Sequence, residues 1–348
     1  MNGITLLTGG TGLVGGEVAL ALAARGRLVR AVVRARSPSN ARQRLLERIK
    51  KSRAFSVDLA RLLEAVPGDS TLDEFGCGKS LLAGVSTIIH CAANTSFSKA
   101  DRDSIHDTNI GGAKTLVELV SKSAPQTRIF LVSTASVVTG PNGARVDESA
   151  RFEGYENDYT RSKREAEAIV SRSRLDVVIL RPSVVLSRGV SDRAMARSIL
   201  WCLPIMTKIR EVPIDPCSWV DLVPVDHVAK VIALLAVKPA LAHRIYHISA
   251  GDNSHTFGDV LAAIVKRHPV FSRIKPVGAL GAPQRRQSRL MQAIESYLPF
   301  MNANVRYDNG RLRREIGVEA CPPAATAYVP ELMGLITIDE ARSEMVRP

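Results

Sequence analysis

Apolar and polar positions in the first half of the chain alternate between two rhythms. The short apolar runs ITLLT, LVRAVV, LLEAV, STIIHCAA, RIFLVST and VVILRP read as strands covered on both faces. Between them, apolar residues recur at helical spacing around residues 18–24, 41–51, 111–122 and 162–171. This alternation predicts a parallel sheet with helices on both faces. After Pro182 the rhythm breaks. SVVLSRG, RSILWCLPI and VPID lead into DLVPVDHVAKVIALLAV, whose second half is helical, and HRIYHISAG reads as one more strand returning to the sheet. From Thr256 onward, the helical pieces FGDVLAAIVKR, SRLMQAIESY and GRLRREIG alternate with proline-rich connectors. We therefore expect residues 1–182, joined by 221–250, to form the sheet domain. Residues 183–220 and 251–348 should form a smaller, mostly helical cap that binds substrate.

Composition narrows the class. Of 348 residues, 45% are hydrophobic and mean hydropathy is +0.03, as expected of an ordinary soluble protein. The longest apolar stretches, VIALLAV and ILWCLP, are too short to cross a bilayer. The N-terminus enters a strand pattern with no basic leader or cleavage site, so no signal peptide is expected. Five scattered cysteines without CxxC spacing argue against disulfides and against a zinc or other metal site, and fit a reducing cytoplasm. The net charge of +13 changes the picture more. Much of it serves solubility, but it also suits a polyanionic ligand: a phosphorylated cofactor, coenzyme A or an acidic carrier protein. Nucleic acid is not expected, since aromatics are only 5% and no nucleic-acid motif is present.

The candidate chemistry begins at TGGTGLVG, residues 8–15, between ITLL and EVALALAA. Gly9 permits a tight turn, Gly12 lets a pyrophosphate approach the backbone, and Gly15 allows close helix packing. The helix N-terminus then faces the phosphates. Thr8, Thr11, Leu13 and Val14 complete the candidate cofactor contacts of this turn. The T-G-x-x-G-x-x-G spacing resembles extended short-chain dehydrogenases/reductases, which implies a Rossmann-type doubly wound sheet. The second strand ends VVRARS, without the acid that would bind a ribose 2′-hydroxyl. Arg34 and Arg36 are available there for a 2′-phosphate, so NADPH (NADP+) is expected over NADH. In the resembling family, the acid matching Asp69 of PGDS lies beside adenine. Ala92 and Ala93 of HCAA lie against the cofactor, whereas His90 and Cys91 read as buried strand residues.

YTRSK places Tyr159 and Lys163 four residues apart on one helix face. A free phenol titrates near 10, and a neighbouring ammonium should lower that value. Tyr159 then becomes a general acid for a carbonyl oxygen that gains charge on hydride transfer. Upstream, FLVSTASVV offers hydroxyls that can share the oxyanion. Thr134 aligns best with the family's S-[ST]-x-x-V pattern, Ser133 is the reserve, and Ser136 is weaker. Asn109 in DTNIGGAK matches the asparagine with which the superfamily often supports its catalytic lysine, and a helix-cap role is the bland alternative. Arg181–Pro182 matches the segment against the nicotinamide ribose.

A long helical insertion, ARQRLLERIKKSRAFSVDLARL, separates the second strand from the third. With IIHCAANTSF, VSTASV, YTRSKREAE and WVDLVPVDHVA, it looks like the thioester reductase and fatty acyl-CoA reductase branch, over about residues 3–250. The resemblance implies reduction of an acyl thioester, on coenzyme A or a carrier protein, to an aldehyde or alcohol. Two other readings stay open: a ketone or aldehyde reductase or sugar-nucleotide epimerase/dehydratase on the same scaffold, and a non-catalytic NADP-binding regulator. The cap, with residues 187–219, should line the acyl pocket. Leu200, Trp201 and Met206 there are either acyl contacts or core, and Asp226 is expected to be structural. Oligomeric state is open.

Overall fold

In the computed structural model, residues 3–150, 157–190, 199–278 and 289–335 are described. Seven strands form one sheet: β1 (Ile4–Thr8), β2 (Val29–Val33), β3 (Leu63–Pro67), β4 (Val85–His90), β5 (Arg128–Val132), β6 (Val177–Pro182) and β7 (Ile245–Ile248). Their spatial order is β3-β2-β1-β4-β5-β6-β7, and every neighbouring pair is parallel. These are the seven strands expected from the apolar runs.

Each run is apolar throughout because consecutive side chains point to opposite faces, both covered. Leu7, Phe130 and Leu180 pack with Val18 and Leu22 of α1 (Leu13–Ala23) on one face. Leu6, Ile129 and Ile179 pack on the other, with Leu116 of α3 (Gly112–Ser123) and Val170 of α4 (Asp158–Arg172). The insertion after β2 carries α2 (Pro38–Ile49), and α5 (Val225–Val237) lies against α1 with Val228 and Ile232 in the first core. The order reverses between β1 and β4, so their C-terminal ends open a crevice at a topological switch point.

A second core gathers Leu200, Trp201, Met206, Phe257, Met291 and Leu332 from the later segments. Leu200, Trp201 and Met206 are thus buried as core. The segment around residues 305–320 returns to the sheet domain. Arg306–Tyr307 pairs in parallel with Arg145–Val146, and Leu312 and Ala320 join the core of the first sheet face. Asp226 pairs with Arg188. The more buried acid of that segment is Asp221, which accepts from the Ala250 N–H at 2.8 Å and the Ser254 hydroxyl at 3.3 Å. Residues 191–198, 279–288 and 336–348 of the expected cap lie outside the described residues. Among the described residues, no helix is long and apolar enough to cross a membrane.

Candidate active site

The glycine turn joins β1 to α1 at the switch point. Gly9 has φ +72°, and a Cβ on it would lie 2.7 Å from both the Ala92 nitrogen and the Cys91 carbonyl carbon. Glycine is therefore required both by conformation and by the close approach of the chain leaving β4. A Cβ on Gly15 would lie 2.2 Å from the Gly9 oxygen, so the first turn of α1 rests on the turn itself. Gly12 is the N-cap, with no side chain capping the helix and no acid in its first turn. That leaves a helix N-terminus suited to a phosphate group. Thr11, Leu13 and Val14 are half-buried around it. Thr8, expected among the cofactor contacts, instead points inward. Its hydroxyl bonds His90 Nδ1 at 2.9 Å and accepts from the Ala92 N–H at 3.1 Å, tying β1 to β4.

A buried ion pair that the sequence reading missed braces the turn from behind. Arg48 of α2 donates to the Gly12 and Leu13 carbonyls at 3.0 and 2.8 Å and pairs with Glu17 at 3.1 Å. The Ser52 hydroxyl donates to the other Glu17 oxygen at 2.7 Å. A Cβ on Gly16 would lie 2.8 Å from the Arg48 guanidinium carbon, which explains a further glycine directly after Gly15.

Arg34 and Arg36 are exposed just beyond β2. Arg44 of α2, also missed, donates to the Arg34 carbonyl. The Ser37 side chain caps α2 by accepting from the Asn40 N–H at 3.2 Å. Arg34, Arg36 and the N-terminus of α2 thus follow directly on the C-terminal end of β2, with Arg44 reaching back to the Arg34 backbone. Asp69 follows β3, and the adjacent Gly68 N–H donates to the Val33 carbonyl at 3.0 Å at the end of β2. The Asp69 carboxylate accepts from the Thr71 N–H and hydroxyl at 3.0 and 2.9 Å. Ala92 and Ala93 lie half-buried just beyond β4.

The candidate proton-transfer groups sit beyond β5. Tyr159 and Lys163 lie on α4, whose start is fixed by a reciprocal cap between Asn157 and Thr160. The Thr134 hydroxyl lies beside the Tyr159 phenol and accepts from the Ser136 N–H at 3.3 Å. Ser133 does not share this contact. Its Oγ is buried without a partner among the described residues. Burial pushes the phenol up to about 12, against the opposing effect of the neighbouring Thr134 hydroxyl. The lowering by Lys163 expected from the spacing is absent in this state, because the ammonium donates to the Val132 carbonyl at 2.6 Å. Burial pulls Lys163 down to about 8, with Cys91 and Glu167 opposing. His90 is held down to about 3 by burial and by Lys163, and burial pushes the Cys91 thiol up to about 12. Both are uncharged at neutral pH.

Asn109 neither caps a helix nor bonds Lys163 directly. It lies in a π-helical turn, His106–Gly111, a distortion frequent at functional sites. Its side chain accepts from the Asn94 N–H at 2.8 Å and donates to the Asn94 carbonyl at 3.0 Å and to Ser162 Oγ at 2.8 Å. Pro182 ends β6, buried opposite Ile248 of β7. The Arg181 side chain turns away from the crevice into a bidentate pair with Glu167 at 2.9 and 2.7 Å. Among the described residues, no cluster of His, Cys, Asp or Glu could hold a metal ion.

The parallel sheet and its glycine cradle form a Rossmann-type fold of the extended short-chain dehydrogenase/reductase kind, with a nicotinamide dinucleotide as cofactor. The chain belongs to the NAD-binding family described as male sterility protein, which matches residues 7–232. It is similar to peramine synthetase ppzA of Metarhizium majus (strain ARSEF 297), 28% identical in an alignment of 276 residues that covers 74% of this chain. The chain spans only about a tenth of that relative's length. The fold is similar to the terminal R domain from the myxalamid PKS-NRPS biosynthetic pathway, with a TM-score of 0.80 and 20% identity, covering 95% of this chain and 90% of that one. It is also similar to a thiolation-reductase di-domain from an archaeal non-ribosomal peptide synthetase, with a TM-score of 0.78 and 20% identity, covering 99% and 76%.

Proposed function

We propose that this protein is an NADPH-dependent reductase of an acyl thioester, carried on a carrier protein or coenzyme A, that yields an aldehyde or alcohol. The observation that carries the reading is the placement of the Thr134 hydroxyl beside the Tyr159 phenol, beyond the C-terminal end of β5 and on the side where the glycine cradle opens. Bound NADPH supplies the hydride. The protein's own work is to bind, orient and move a proton. The N-terminus of α1 and the Gly9–Gly15 turn hold the pyrophosphate. Arg34, Arg36 and Arg44 pair with the 2′-phosphate through charge-assisted hydrogen bonds. Thr134 and Tyr159 donate to the carbonyl oxygen as it becomes negative, and Tyr159 delivers its proton there, giving a thiohemiacetal. The C–S bond of the thiohemiacetal then breaks to release the carrier or coenzyme A thiol and the aldehyde; a second hydride gives the alcohol. The Lys163 ammonium, turned from the Val132 carbonyl toward the crevice, favours the phenolate left behind. The family, and the reductase and thiolation-reductase domains it resembles in fold, favour a thioester on a carrier as substrate.

The test is incubation of the protein and NADPH with acyl-CoAs, carrier-bound acyl groups, ketones and sugar nucleotides, with products identified by mass spectrometry. Oxidation of NADPH with thioesters, giving aldehyde or alcohol, is expected. Oxidation with ketones alone overturns the reading, and interconversion of sugar nucleotides without net NADPH loss replaces it with an epimerase. Turnover that vanishes in Tyr159→Phe excludes a non-catalytic regulator. Arg34→Ala should raise the Kd for NADPH about tenfold or more and leave that for NADH unchanged. Equal effects on both remove the 2′-phosphate assignment.

A further inference from the structure

Aromatic side chains are scarce in this protein, eight phenylalanines, six tyrosines and two tryptophans, yet five of them meet in one row that begins at Tyr159. Phe97 lies 5.8 Å from Tyr159, centroid to centroid, with the rings tilted by 54°. Phe300 stacks on Phe97 at 4.7 Å and 10°, and Tyr297 meets it edge-on at 5.1 Å. Trp201 continues the row at 5.2 Å from Tyr297, nearly perpendicular, and is buried in the second core. Tyr159, Phe97, Tyr297 and Phe300 keep part of their surface accessible.

The row joins both halves of the molecule. Phe97 comes from the loop after β4, Tyr297 and Phe300 from the short helical turns Glu295–Tyr297 and Leu298–Met301. The loop is built to hold Phe97 in place. Asn94, whose backbone Asn109 grips on both sides, accepts from the Ser96 N–H at 2.9 Å and donates to Ser104 Oγ at 3.0 Å. The half-exposed surface beside the phenol is thus made of π-faces and ring edges, in a chain whose cores elsewhere are mainly aliphatic. Such faces favour a ring over an aliphatic chain of equal area.

We propose that this row is the acyl subsite and that Phe97 is its specificity-determining residue. The substrate is the thioester of an arylalkyl acid, whose ring extends the row beside Phe97 while its carbonyl faces Tyr159. The inference rests on the thioester reading for the reaction and on the row alone for the acyl group. The carbonyl oxygen lies about 3 Å from the phenol, and a stacked ring lies about 4.5–7 Å from Phe97. A spacer of two or three carbons joins the two positions.

The matched probes are N-acetylcysteamine thioesters of 3-phenylpropanoic and 3-cyclohexylpropanoic acids, together with the corresponding amides, which cannot be reduced. The phenyl compounds should show a kcat/KM, and the phenyl amide an affinity by calorimetry, about two- to tenfold better than their cyclohexyl partners. Phe97→Leu should bring both ratios close to one. Phe300→Leu should also reduce them, and provides the test if Phe97→Leu does not melt cooperatively. Equal affinity of the two amides for the wild-type protein overturns the proposal, as does a phenyl preference unchanged in the folded variants. Preference among the amides with no NADPH oxidation on either thioester removes the thioester reading and leaves the aromatic subsite standing.

Discussion

Tyr159 and Lys163 form a local pair whose chemistry depends on distant partners. Replacing Tyr159 with Phe keeps the ring beside Phe97 and removes the proton donor. We expect kcat to fall by about 10²–10⁴-fold with NADPH affinity retained, measured by turnover and by fluorescence titration of the nucleotide. Lys163 makes a second prediction, about stability. Its folded value of about 8 lies below the ordinary 10.5 of a lysine, so between these limits the unfolded chain binds more protons than the folded one. The Lys163 contribution to stability therefore rises with pH across that window, and its buried charge costs stability below it. The difference between wild-type and Lys163→Met unfolding free energies should climb from about pH 8 to about pH 10.5, by on the order of 3 kcal/mol at most. A flat difference curve would show that the ammonium is not desolvated. Tyr159 titrates in both proteins and cancels. Local spacing made the Tyr–Lys pair legible and the family pattern pointed to Thr134, but the sequence cannot show that the ammonium bonds the Val132 carbonyl or that the Ser133 hydroxyl is buried without a partner among the described residues. Those facts depend on how β5 and α4 pack.

At the scale of elements, the turn between β1 and α1 was readable because its requirements are local: a left-handed residue and close approach, both written as glycine. Gly15→Ala would put a methyl carbon within 2.2 Å of the Gly9 oxygen. The turn must shift, at a cost of about 1–3 kcal/mol, and the dinucleotide Kd should rise about tenfold or more. Thermal melting and nucleotide titration read the two effects separately. The bracing by Arg48 was not readable. It lies 31 residues from Glu17 on an amphipathic helix, where one arginine among several carries no mark of its destination. Arg48→Met leaves the Glu17 carboxylate buried with only Ser52 as partner, and should destabilise the protein by about 3–5 kcal/mol in urea unfolding. The aromatic row was hidden for the same reason, since its members come from four separate segments.

Across the whole molecule, the seven strands were legible because a sheet covered on both faces needs continuous apolar runs, and few other elements produce them. The path of the last third was less so, because short helices divide between two cores with the same pattern of apolar residues. Leu312 and Ala320 join the core against the sheet. Glu315 accepts from the Tyr246 hydroxyl at 2.7 Å and pairs with Lys238 at 2.8 Å, fixing that return. Ending the chain at residue 304 should therefore abolish a single cooperative melt followed by circular dichroism, even though every strand of the sheet is kept. A sharp melt near the wild-type temperature would show that the returning segment is dispensable.

That returning segment also bears on where the dinucleotide-binding half could be cut out and grafted elsewhere. A graft whose boundary is drawn after the final sheet strand would carry the nucleotide cradle, the phenol and the lysine, yet strip the sheet of part of its outer covering. A viable splice point lies beyond Ala320, and the transplanted unit has to travel with the second core attached.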